Sequence, residues 1–108
     1  MEFFGSLGRG AKVPYEQPGI SLDAVEFVAD HDLAAVGADN AAVEVIPFDQ
    51  GRALGVHEAL LHDLGVILFE HLVLREPAAD GCHEGLFVAL PLPVTGASGS
   101  PVNPVLIA

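Results

Sequence analysis

Residues 54–72 read LGVHEALLHDLGVILFEHL, and the fold turns on how they are interpreted. The pattern predicts a helix to Leu64, a left-handed glycine cap at Gly65 and a buried strand over residues 66–69. At about 100° per residue, with Val56 at zero, Leu60 falls near 40°, Leu64 near 80°, His57 near 100° and Leu61 near 140°. His57 therefore lies within the apolar stripe, while Glu58, Ala59, His62 and Asp63 take the solvated side. Glu70 follows the strand directly. A carboxylate leaving a buried strand needs a partner or water, because an unpaired buried charge costs several kcal/mol. Two readings stay open at this point. His57 and Glu70 are either a pair of polar ligands or, more plainly, a hydrogen-bonded core histidine and an acid emerging into solvent.

Outward from this stretch, the chain alternates short apolar runs with helical patterns, which favours an α/β arrangement in one domain, 1–108. Residues 1–19 are rich in glycine and proline and read as a loop-rich N-terminal segment, with Pro18-Gly19 as a turn. Phe3 and Phe4 would stand exposed if that segment stood alone, which suggests a missing preceding segment. Ser21 is placed to cap a helix running to about Asp30, with Leu22, Val25, Val28 and Ala29 as its apolar side. Leu33-Ala34-Ala35-Val36 reads as a short strand, and Asp39 as the centre of an Asx turn. Residues 41–47, AAVEVIP, fit a strand or a turn of helix equally, and residues 48–52 read as a loop. Beyond Glu70 the chain reads as irregular or briefly helical to Gly81. Residues 86–90 and 105–107 are further strands, separated by prolines and a glycine-rich loop. About four strands and two main helices result, in a mixed and incomplete sheet.

Composition narrows the function. Of 108 residues 51% are hydrophobic and 18% charged, which argues for a folded core. Four Lys+Arg against 15 Asp+Glu give a net charge of −11, a surface that repels phosphate backbones and anionic lipid. No nucleic-acid or membrane partner is therefore expected. Cys82 is the single cysteine, so no internal disulfide can form, and a cytoplasmic setting is the default. The loop at residues 96–101 lacks the lysine and following helix of a phosphate cradle. Adjacent Cys82 and His83 are poorly placed to act as nucleophile and base, and His31 and His62 fall on polar faces. His71, beside Glu70, reads as a rim residue or as a group orienting that carboxylate.

Three blocks carry a resemblance: GADNAAVEVIP at 37–47, VHEALLHDLGVILFEHL at 56–72 and LFVALPLPVTGASGSPVNPVLIA at 86–108. Together, from about Pro18 to Ala108, they resemble the C-terminal part of the cyclase family that includes bacterial kynurenine formamidase and related metal-dependent hydrolases. The resemblance implies a compact α/β fold around a barrel-like sheet, an oligomer, and zinc or manganese in the active site. It also implies a small-molecule amide substrate. The family histidine of the V-H-x-x-L-L block is a metal ligand, at His57 here, and the glutamate ending the next strand is another, at Glu70.

The family's main metal motif, of the type His-x-Gly-Thr-His-x-Asp, belongs to its N-terminal half, and no His-x-x-x-His-x-Asp pattern occurs in this chain. Where the family usually carries Asn after the glutamate, this chain has His71. The resemblance thus implies a C-terminal fragment, inactive alone, that acts in a homo-oligomer or with a complementing N-terminal portion. The alternative is a non-catalytic remnant or assembly module in which His57 and Glu70 are merely paired.

Overall fold

The computed structural model describes residues 15–108. They are mixed α/β and divide into two compact units, one ending at Arg75 and the other formed by Glu76–Ala108. Residues 1–14 of the expected N-terminal loop, with Phe3 and Phe4, lie outside the described residues.

The first unit begins with residues 17–20, which run beside residues 44–46 through single bridges, Gln17 to Ile46 and Ile20 to Glu44. Gly19 makes this approach possible, since a Cβ there would meet the backbone carbon of Glu44 at 2.3 Å. Helix α1 (Ala24–Asp30) follows, ending where the pattern expected. Ser21 does not cap it: the hydroxyl bonds the Asp23 carboxylate, and the first turn closes instead through Ala24 N–H donating to Ser21 O at 3.0 Å. Strand β1 (Ala35–Gly37) pairs in parallel with β2 (Ile67–Phe69), Ala35 opposite Ile67 and Gly37 opposite Phe69.

The connection between these strands holds residues 41–47, which form neither a strand nor a helix but bends with isolated bridges at Glu44 and Ile46. Side chains hold it in shape. Asn40 accepts from Val43 N–H at 2.7 Å and donates to the carbonyls of Pro18 and Val43. Gln17, itself buried, accepts from Ala41 N–H at 3.1 Å. The turn that was expected at Asp39 is therefore built by Asn40, whose amide can both donate and accept where a carboxylate only accepts. Val43 is forced to a φ of +61°, a costly conformation for a β-branched residue. Glu44 N–H donates back to Ala42 O at 2.6 Å.

Helix α2 (Gly55–His57) continues without a break into a π-helical turn over Glu58–Asp63. Leu64 N–H bonds Ala59 O and Val66 N–H bonds Leu60 O, so the register is wider than the four-residue step of an α-helix. This shifts the apolar face. Val56 and Leu60 are fully buried, as the wheel expects, but Leu61 and Leu64 are turned out to solvent. Gly65 does take the left-handed conformation, with φ at +70°.

The core is small: Val28, Val56, Leu60 and Val66, with Ile20, Leu22, Val25, Val36 and Leu68 packed against it. Strand β2 was expected to be buried on both faces, but Ile67 is 55% exposed. A two-stranded sheet covered on one side by helix leaves alternate side chains facing outward.

The second unit begins within helix α3 (Arg75–Ala79) and contains the antiparallel pair β3 (Leu86–Val88) and β4 (Val105–Ile107). Among the described residues there are two two-stranded sheets instead of one mixed sheet, β2 pairing with β1 and β3 with β4. Prolines at 91, 93, 101 and 104 keep the connecting chain extended but unpaired. Among the described residues, no helix is long and apolar enough to cross a membrane.

Candidate functional site

The polar centre of the first unit is a line of three side chains, Glu44, His57 and Glu70. The helix that starts at Gly55 carries His57 on its first turn, and β2 ends one residue before Glu70. Val66, between them in sequence, packs in the same core as Val56 and Leu60, so the helix and strand are held together by apolar contact. That packing brings His57 Nε2 to 3.1 Å from Glu70 Oε1. The two residues singled out by the sequence therefore do meet.

The third member was not expected. Glu44, in the stretch whose secondary structure the pattern left undecided, is 1% exposed, and its Oε1 lies 2.7 Å from His57 Nδ1. The same carboxylate accepts from the backbone N–H groups of Val56 and His57 at 3.3 and 3.4 Å. Those amides belong to the first turn of the helix, where no intrahelical acceptor is available to them. A buried carboxylate with three donors around it is satisfied, and among the described residues no buried side-chain polar atom lacks a partner. One signal could have found it: Glu44 is the single charge in the seven residues AAVEVIP, flanked by Val43 and Val45.

The geometry constrains where protons sit. Both ring nitrogens face a carboxylate, and the shorter, buried contact of 2.7 Å to Glu44 favours Nδ1 as the site of the proton of a neutral imidazole. Nε2 then presents a lone pair to Glu70 Oε1, which is also an acceptor. Two acceptors 3.1 Å apart need something shared between them, a proton carried by the ring or by the Glu70 carboxyl, or a metal ion. The line runs outward from the core, with the His57 side chain 20% and the Glu70 side chain 38% exposed.

The remaining candidates lie elsewhere. His62 is fully exposed on the π turn, where its hydrogen bond to Asp63 at 2.7 Å, with the Asp63 charge, raises its pKa above the ordinary histidine value. His31 stacks on Phe27 and bonds the Phe27 carbonyl at the end of α1. His71 takes a left-handed φ of +55°, and its backbone N–H bonds Asn40 O at 2.9 Å. Cys82 is in the second unit, with Sγ 3.5 Å from Glu84 O. Among the described residues no group of three or more His, Cys, Asp or Glu is arranged to hold a metal ion. Glu44 adds no third ligand, because it occupies the nitrogen opposite the one that faces Glu70.

No family model matches the chain. A kynurenine formamidase of Bacillus cereus is 32% identical over 101 residues, covering 94% of this chain and 45% of its own length. A kynurenine formamidase of Bacillus anthracis is 30% identical over the same shares. Among solved structures, the crystal structure of a novel cyclase superposes with a TM-score of 0.75 at 41% identity, over 86% of this chain and 31% of the other. The chain thus spans about half the length of the curated relatives it matches.

Proposed function

We propose that this chain, which belongs to the cyclase-like family of the kynurenine formamidases, supplies part of a metal-dependent site for hydrolysing a non-peptide amide bond. The observation that carries the reading is the facing pair of acceptors, His57 Nε2 and Glu70 Oε1 at 3.1 Å. An imidazole nitrogen and a carboxylate oxygen suit zinc or manganese, and both donors open toward solvent while the far side of the ring is anchored. A divalent ion bound there would lower the pKa of a bound water to about 7 and polarise the substrate carbonyl. His57 and Glu70 provide two of the roughly three protein donors that such a centre uses. The chain acts as the C-terminal portion of the family fold, and the further ligands and the base come from a complementing portion or another subunit. The barrel-like sheet of the family would be completed in the same way. A small-molecule amide is the substrate class, as the names of the relatives suggest.

Thermal melting with zinc or manganese tests the ligand pair. At metal concentrations near a hundred times the dissociation constant, a single site adds about 2.7 kcal/mol, several degrees in a chain this short. The shift is expected for the wild type and absent in Glu70→Gln, whose half-exposed side chain can change without unfolding the protein. An unshifted wild type would sink the ligand reading and leave the assembly-module reading. The chain alone is expected not to hydrolyse N-formylkynurenine. Turnover abolished by a chelator would show instead that the site is self-sufficient.

A further inference from the structure

We infer that Glu44 is the positioning residue of this site, holding His57 in the tautomer and orientation that turn Nε2 toward Glu70. The inference rests on the reading of His57 and Glu70 as metal donors. Three features of Glu44 support it. Its side chain is fully buried, so its oxygens do not exchange partners with water. Its shortest contact, 2.7 Å, is to His57 Nδ1 and not to either backbone amide. And its backbone is locked: Ile20 N–H donates to Val43 O and Val45 N–H to Ile20 O, both at 3.0 Å, while Asn40 holds the preceding turn. A carboxylate on a backbone this well tied gives the imidazole one preferred pose.

A helix-capping role alone would need only the contacts to Val56 and His57 N–H. The contact to Nδ1 does something further. By accepting a hydrogen bond from Nδ1–H, Glu44 leaves the lone pair on Nε2 and raises the basicity of that nitrogen toward a cation. Glutamine cannot reproduce both functions. With its carbonyl toward Nδ1, its NH2 group meets Val56 N–H, donor against donor. Rotated the other way, the NH2 group meets Nδ1, which must then give up its proton, and the proton moves to Nε2 where the cation would bind.

The test uses the full chain, with zinc as the probe and two readouts. The first is the long-range nitrogen–proton NMR correlation of the His57 ring in the metal-free protein. Nδ1 is expected to be protonated in wild type and to lose that signature in Glu44→Gln. The second is zinc affinity by competition with a chromophoric chelator, expected to fall about 10–100-fold in Glu44→Gln. Glu44→Asp keeps the charge but withdraws the oxygens from the ring, and should lose affinity likewise. It serves as the second variant if glutamine does not fold. An unprotonated Nδ1 in wild type, or a folded variant that binds zinc as wild type does, overturns the inference. If the wild type binds no zinc, it is the metal reading that fails, and the Nδ1 signature alone then decides the role of Glu44.

Discussion

Replacing His57 with alanine is expected to lower the unfolding free energy by about 1–3 kcal/mol or more, the usual cost of leaving a buried hydrogen-bonding group short of a partner, which is larger for a carboxylate. The loss falls on Glu44. In the native protein its Oε1 has a 2.7 Å contact to Nδ1, and the two backbone donors are longer, at 3.3 and 3.4 Å. Without the ring the carboxylate stays buried with only those two bonds. The double substitution Glu44→Gln with His57→Ala should recover part of the loss, since the desolvated charge disappears while the amide oxygen can still accept from Val56 N–H. Urea unfolding of the two single variants and the double one measures this directly. A loss below about 1 kcal/mol in the first variant would mean that water reaches Glu44, against its full burial.

The second large effect is apolar. Leu60→Ala should cost about 2–5 kcal/mol, because Leu60 is 0% exposed and packs between Val28, Val56 and Val66. Set against the roughly 5–15 kcal/mol that holds a typical domain, this would leave a substantial unfolded population. Leu61→Ala, one residue on, should change stability by no more than about 0.5 kcal/mol, because Leu61 is 48% exposed. The contrast bears on the π turn. A regular helical wheel places both leucines on the apolar stripe, so two large losses in the same measurement would contradict the wider register.

The helix, glycine turn and strand of residues 54–72 were legible because each depends on local signals: apolar spacing, a glycine directly after it, and a run of β-branched and aromatic residues. The same signals located α1, β1, β3 and β4. They could not reveal the π turn, since no residue type marks it; it is defined by backbone bonds such as Leu64 N–H to Ala59 O. Nor could they decide residues 41–47, whose conformation is imposed from outside by Gln17, Asn40 and the close passage of Gly19. Glu44 was missed for that reason. The convergence of His57 and Glu70, by contrast, follows from one helix-to-strand turn, and turn chemistry is short-range. Ser21 shows the limit of such rules: the helix begins at Ala24, later than the pattern expects, which puts Ser21 upstream of the capping position with its hydroxyl donating to the Asp23 carboxylate.

The ribbon formed by β3 and β4 has a further consequence. Leu86, Phe87, Val88, Val105, Leu106 and Ile107 are all exposed, on both faces of the pair. An exposed apolar ladder of this kind is a template for stacking one molecule on the next. At neutral pH the charge of −11 keeps molecules apart. Acidification toward the isoelectric point, about 4.4, removes that repulsion while the ribbon is unchanged. Turbidity is therefore expected to rise steeply as the pH approaches this value. Leu86→Glu should delay the clouding, since that side chain is the most exposed of the six, whereas a clear solution of the wild type at its isoelectric point would show that the ribbon is already shielded.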